Sequence, residues 1–333
     1  MNSSRTVGNA ESVRERLTGG LIAATPVPFR ADGKLHKAGH ESYLRYMSAQ
    51  PIAGVAVWAH TGRGLALDVE TAQIVLRDWR DAMPEKLVIV GVGSHDAKPE
   101  RATASTLQMA ENASRLGADA LLVYPPAWLR EHTHRDELIA EHHRRVAAVG
   151  LPIILFYLYQ AAGGISYSQA LLNEMLALPE VVGIKMATLD SVMTYQDVSR
   201  LVQERHPDKL FITGEDRFLG YSLRRGAGAA LIGMGAICCD LQAQLIQANT
   251  VGDSSRFLTL SDAVDGLAET IFVKPMEGYI KRLLWALVHL GVIPLDAAND
   301  PWGPQLPQHE FDDVGRALAA LVPATRECGR GHA

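Results

Sequence analysis

The chain alternates short apolar runs with longer amphipathic stretches. The apolar runs are LIAATPVPF (21–29), GVAVWAH (54–60), KLVIVGVG (86–93), ALLVYPP (120–126), PIILFYLY (152–159), VVGIKMA (181–187), KLFITGED (209–216) and AALIGMG (229–235). Their starts recur about every 30 residues, the length of a strand–helix–strand unit, and the last interval is shorter. Most runs are continuously apolar over a strand's length, as parallel strands buried on both faces must be. The stretches between them carry helical spacing. In PERATASTLQMAENASRLGADA, Ala104, Leu107, Met109, Ala110, Ala113 and Leu116 cluster on one face, and Gly117 follows as a stop. Eight such units predict an α/β fold, a closed (β/α)8 TIM barrel. An open doubly wound sheet is the alternative; it normally brings a glycine fingerprint at its first strand–helix turn, and GLIAATPVP has none. The pattern divides the chain into a polar leader (1–18), expected to be poorly ordered, the barrel (19–250), and additional C-terminal helices packed on it (251–333). In that last part 272–291 and 311–322 read as helices, and Pro294, Pro301, Pro304 and Pro307 break the segment between them.

Composition narrows the function classes. Of 333 residues 47% are apolar and 21% charged, enough for a large core. The net charge is -5 and no basic run stands out, so no nucleic-acid or membrane-surface partner is expected. No apolar run is long enough to span a bilayer, and the first twenty residues lack the apolar segment of a signal peptide. The cysteines are Cys238, Cys239 and Cys328, with no framework of spaced pairs and no CxxC motif. A cytoplasmic, reducing setting without a zinc site is the simplest expectation.

In a (β/α)8 barrel, function sits where the strands end on their carboxyl side. That rule selects His60, Thr61 and Arg63 after the second strand, and Pro125, Pro126 and Trp128 after the fourth. It adds Phe156, Tyr157 and Tyr159 on the fifth, Lys185 on the sixth, and Glu215 and Asp216 on the seventh. Lys185 lies in VVGIKMAT between apolar neighbours. A lysine inside a buried strand is either paired or partly discharged, because desolvation lowers its pKa. The neutral amine attacks a carbonyl to form a Schiff base. The alternative is a strand-end lysine whose ammonium reaches water. Tyr157 is a candidate proton carrier, or else an aromatic core residue. The turn AHTGRG (59–64) offers backbone N–H groups and a hydroxyl to a carboxylate, or is an ordinary glycine-containing loop. His132, His134, His142 and His143 suggest a metal, but their neighbours in REHTHRDELIAEHHRR are charged throughout, so a solvated loop and helix is expected. GVGSHD (91–96) lacks the third glycine of a dinucleotide loop.

Together these residues resemble the dihydrodipicolinate synthase/N-acetylneuraminate lyase family of class I, Schiff-base aldolases. The resemblance rests on GLIAATPVPFRADGKLH, AHTGRG, GVGSHDAKPERATASTLQMAENASRLGADALLVYPP, VVGIKMATLD and TGEDRFLGYSLRRGAGAALIGM, and spans roughly residues 19 to 295. It implies a (β/α)8 barrel assembled as a dimer or tetramer. It places Lys185 on the Schiff-base lysine and Thr61 on the second hydroxyl of the carboxylate-binding turn. Tyr157 falls on the catalytic tyrosine when counted back from Lys185, whereas Phe156 does when counted forward from Leu151-Pro152. Tyr157 is preferred because phenylalanine transfers no proton, and a slip of one residue swaps the side chain that faces the barrel interior.

The chain also departs from the family pattern. His60 replaces the first hydroxyl of the turn and Arg63 its usual glutamate. Ala127-Trp128 replace the Tyr-Tyr that feeds a proton relay in the synthases. YQAAGG (159–164) has no arginine where the synthases clamp a second carboxylate, which argues against that synthase activity. The resemblance therefore implies a divergent lyase, an aldolase or dehydratase, acting on pyruvate or a longer 2-oxo acid. Lys185 and Tyr157 are its expected catalytic residues; His60, Thr61, Gly62, Trp128 and Leu231 are expected to bind substrate. Trp58, Phe156 and Tyr159 are expected to make the pocket more aromatic, and no metal or organic cofactor is needed. The alternative is a catalytically silent member that binds a 2-oxo acid as a sensor.

Overall fold

A computed structural model describes residues 10–189 and 191–328; of 322–328 it describes only the helical path. Residues 1–9 of the expected leader and the Cys328 side chain lie outside this description. The strands are β1 (Leu21–Ala24), β2 (Gly54–Val57), β3 (Leu87–Val92) and β4 (Ala120–Val123), then β5 (Ile153–Leu158), β6 (Val181–Ala187), β7 (Leu210–Thr213) and β8 (Ala229–Ile232). They pair in chain order, all parallel, and β8 returns to β1 to close the barrel. The open-sheet alternative is thereby excluded.

Alternation along the strands sorts side chains into two buried clusters. One fills the barrel and includes Ile22, Ala56, Ile89, Leu122, Ile154 and Ile212. The other lies between barrel and helices and includes Ala23, Val55, Val90, Leu121, Leu155 and Ile184. Both faces of each strand are buried, which is why the runs read as continuously apolar. Asp68 caps the helix Val69–Ala82 through the Thr71 N–H at 2.8 Å. Pro99 opens the helix Pro99–Arg115, where its missing N–H costs nothing.

The leader is helical over Ala10–Leu17. Its Val13 and Leu17 are buried in the barrel-filling cluster. Arg14 and Arg16 donate to the Asp208 and Glu85 carbonyls, just before β7 and β3. The helix therefore closes the barrel at the amino ends of its strands, opposite the end where chemistry is expected. The run 272–291 is not one helix. A short turn, Met276–Gly278, precedes the helix Tyr279–His289, and this break places Glu277 beside the barrel mouth. The last helix spans His309–Cys328. Among the described residues no helix is long and apolar enough to cross a membrane.

Two histidines depart from the solvated setting expected of them. His142 and His143 are buried on the helix Arg135–Ala147. His142 meets the Trp128 ring edge-on at 5.2 Å and lies 3.4 Å from the Thr103 hydroxyl. The charges that made the segment look solvated sit on its outer face, whereas Ile139, Ala140, His142, His143 and Val146 turn inward. Burial lowers His142 to about 3, helped by His143, and lowers His143 to about 4 against the pull of its bond to the Ile139 carbonyl. Unfolded, each takes up a proton near about pH 6.5. Between that pH and 3–4 the unfolded chain binds more protons, so stability falls as pH falls. Each histidine contributes a loss on the order of 2 kcal/mol at pH 5. Urea unfolding at pH 7.5 and pH 5 is expected to show this loss, and His142→Phe to reduce it; an equal loss in the variant would place the acid sensitivity elsewhere.

Candidate active site

Lys185 is inward on β6, and its amine lies 4.3 Å above the ring of Phe156, its direct partner on β5. The residue is 6% exposed. Gly214, just past β7, makes room for it: a β-carbon there would lie 2.6 Å from the lysine Cε. Burial lowers the Lys185 pKa, and the nearby carboxyls of Asp216 and Glu215 offset only part of that. Burial in turn raises Asp216, against the N–H groups of Met234 at 2.7 Å and Gly233 at 3.4 Å and the charge of Lys185. Glu215 is also raised by burial, to about 7, although it accepts bonds from the Thr188 N–H, the Thr188 hydroxyl at 2.8 Å and the Leu189 N–H at 3.0 Å. Those three bonds pin the loop that follows the lysine strand.

The preference for Tyr157 as the residue facing the lysine is corrected here. Phe156 is in the barrel-filling cluster, where its ring lies 5.7 Å from that of Tyr124. Tyr157 points the other way and packs edge-on against Tyr167 at 5.5 Å, in the layer beneath the helices. Counting back from Lys185 fails because the register between β5 and β6 shifts at Ile153–Ile154: Ile153 pairs with Val181, but Ile154 with Gly183.

The turn after β2 is built from sequence-local and distant parts. Trp58 and Arg63 both adopt left-handed backbone angles, φ 53° and 52°, which bracket the short helical turn His60–Gly62. The expected offer of backbone donors is reduced, because the Gly62 N–H bonds the Ala59 carbonyl and the Arg63 N–H bonds that of His60. The Thr61 hydroxyl meets the Tyr279 hydroxyl at 3.0 Å. Gly62 packs over the Thr25 carbonyl, which a β-carbon would approach to 2.9 Å.

Glu277 gathers the polar groups of the mouth. It bonds His60 Nε2 at 3.0 Å, accepts from the Tyr159 hydroxyl at 2.6 Å, and accepts from Arg63 Nη1 at 2.7 Å. Burial works to raise its pKa, but these bonds outweigh it and hold Glu277 down to about 2. Arg63 also grips the Asp300 carboxylate with two nitrogens, at 3.1 and 2.7 Å. His60 stacks on Tyr279, which stacks on Phe272. Four residues of this mouth, Tyr124, Glu277, Tyr279 and Asp300, were not singled out from sequence. Tyr124 ends the β4 run in plain view, whereas the other three lie more than 200 positions from the turn they meet and carry no local signal.

Three further expected pocket residues sit elsewhere. Trp128 packs on His142 away from the mouth, because the short turn Ala127–Leu129 presents Ala127 to the cavity instead. Trp58 lies under the helix Val69–Ala82, donating to the Ala72 carbonyl at 2.8 Å. Leu231 faces the barrel interior but has no exposed surface, and forms part of the packed floor. Among the described residues no group of three or more His, Cys, Asp or Glu is placed to hold a metal ion.

Over residues 17–320 the chain matches the model of the Dihydrodipicolinate synthetase family, and it belongs to that family. It is a divergent member of this class of lyases. It is 27% identical over 280 residues to the 4-hydroxy-tetrahydrodipicolinate synthase of Chelativorans sp. (strain BNC1), covering 82% of this chain and 88% of that protein. It is 29% identical over 219 residues to the N-acetylneuraminate lyase of Pongo abelii, covering 64% and 65%. The fold matches that of Ruminococcus gnavus sialic acid aldolase with a TM-score of 0.80 at 19% identity, covering 94% of this chain and 99% of that one.

The outward position of Tyr157 has a direct consequence. Tyr157→Phe is expected to change the rate of imine trapping with a 2-oxo acid and borohydride by less than about threefold. General acid–base groups contribute about 10²-fold or more, so a loss of that size would return Tyr157 to the site.

Proposed function

We propose that the protein is a Schiff-base-forming lyase, an aldolase or dehydratase, that acts on pyruvate or a longer 2-oxo acid through Lys185. The observation that carries this reading is a lysine amine buried in the barrel interior at the carboxyl end of β6, with its pKa lowered by that burial. The neutral amine adds to the C2 carbonyl; the carbinolamine hydroxyl then takes up a proton and leaves as water, which yields an iminium. Loss of a C3 proton to a base gives an enamine, which adds to an aldehyde; the reverse sequence is cleavage. In dehydration a hydroxyl on C4 departs with the C3 proton as water. Thr61 and the turn at 60–62 receive the substrate carboxylate.

With Tyr157 outside, His60 is the proton carrier in this reading. The ionised Glu277 fixes the Nε2–H of His60, which leaves Nδ1 to accept a proton. Tyr159, bonded to the same carboxylate, is the second donor at the mouth. The protein acts as a homo-oligomer, a dimer or tetramer. In support, Met193 is 76% exposed beside Val192, and Gln196 on the same helix bonds the hydroxyl of half-exposed Tyr221. The free thiols of Cys238 and Cys239 suit a cytosolic setting.

Incubation with pyruvate and borohydride is expected to leave a reduced adduct on Lys185, located by mass spectrometry and absent in Lys185→Ala. No adduct with any of a panel of 2-oxo acids would contradict the reading. A protein that only senses its ligand would be stabilised thermally without forming product; turnover lost in Lys185→Ala excludes that alternative. Glu277→Gln is expected to lower kcat by about 10²-fold while 2-oxo acid still raises the melting temperature. An unchanged kcat would remove the His60–Glu277 pair from the chemistry.

A further inference from the structure

A cavity of about 450 Å³ is lined by His60, Arg63, Tyr124, Ala161, Glu277 and Trp302, among others. Tyr124 joins it to the reacting centre, since its ring touches Phe156, whose face carries the Lys185 amine. Trp302 of the C-terminal part lines the cavity, and the residues before Trp302 are tied down. Asn299 pairs with Phe29 in an antiparallel bridge and donates to its carbonyl at 3.0 Å. Asp300 is held in two bonds by Arg63. Trp302 meets the Phe29 ring edge-on at 5.3 Å and remains 45% exposed. An indole anchored along one edge, with its remaining surface at a cavity, is a ready stacking platform.

The charge at this mouth is already negative in excess. Among the described residues that line the cavity Arg63 is the one guanidinium, and it is spent on Glu277 and Asp300, two carboxylates against one cation. His95, also lining the cavity, is held towards its neutral form, first by burial and then by His60. A carboxylate on the second half of a substrate would find no free cation among the described residues that line the cavity. The lining also includes small groups, Ala127, Ala161, Ala162 and Gly163, which leave room for a flat ring.

We propose that Trp302 is a specificity-determining residue, and that the aldehyde half of the substrate is uncharged and carries an aromatic ring that stacks on it. The proposal rests on the Schiff-base reading for the reaction but not for the binding. In the full-length protein, pyruvate-dependent consumption of benzaldehyde is expected to exceed that of anionic succinic semialdehyde at least tenfold in kcat/KM. Trp302→Ala should raise KM for benzaldehyde about tenfold, lower the selectivity for benzaldehyde over propanal by a similar factor, and be rescued by Trp302→Phe. Saturation-transfer NMR of benzaldehyde alone, strong in the wild type and Trp302→Phe and weak in Trp302→Ala, reads the subsite without any imine. If pyruvate leaves no adduct on the wild type, the reaction assignment fails while this NMR contrast still decides the subsite. Equal benzaldehyde signals in all three proteins, or a preference for succinic semialdehyde, would overturn the proposal.

Discussion

The site depends on the desolvation of one amine. A lysine ammonium in water is stable by a large hydration energy, and a barrel interior supplies little of it. Lys185 is held there by the strand that carries it, over the face of Phe156, with only raised carboxyls as counter-charges. Asp216 and Glu215 have bonds of their own: Asp216 takes the N–H groups after β8, and Glu215 clamps the loop after β6. The carboxyls that would stabilise the ammonium are thus themselves discouraged from ionising. Burial on both sides of the pair favours its neutral form, which is the state that attacks a carbonyl.

The second organising contact is ionic and distant. Arg63, at the left-handed end of the β2 turn, binds Glu277 and Asp300 from the C-terminal part. Removing one partner of such a buried group leaves an uncompensated charge, a loss of roughly 3–5 kcal/mol. This one guanidinium fixes the turn that carries His60 and Thr61 and holds the segment bearing Trp302. It also fixes Glu277, on which His60 and Tyr159 converge. The helices after the barrel are therefore part of its mouth as well as a layer on its side.

The fold was legible because its signal is local and repeated. Eight apolar runs, all but the last about 30 residues apart, name eight parallel strands, and only a barrel leaves them no edge. Lys185 drew notice as a charge inside such a run, but the run alone left open a strand-end lysine whose ammonium reaches water; the structure buries it. Tyr157 was misjudged by one residue, because strand alternation tells which residues share a face but not where a register shift resets the count. Trp128 was misplaced because a short helical turn after β4 rotates it towards His142. His142 and His143 looked solvated because their neighbours are charged, although a helix puts only part of its circumference in water. Glu277, Tyr279 and Asp300 could not be read locally, since their meaning comes from contacts more than 200 residues away.

The central claim is that burial lowers the Lys185 pKa, to about 8, so that near neutral pH a far larger share of its amine is uncharged than in an exposed lysine. Reductive ¹³C-methylation followed by an NMR pH titration, with the Lys185 resonance assigned by its loss in Lys185→Arg, measures this directly. The account predicts a midpoint well below the ordinary lysine value of about 10.4, while surface lysines titrate at that value in the same spectra. A Lys185 midpoint that coincides with theirs would contradict it.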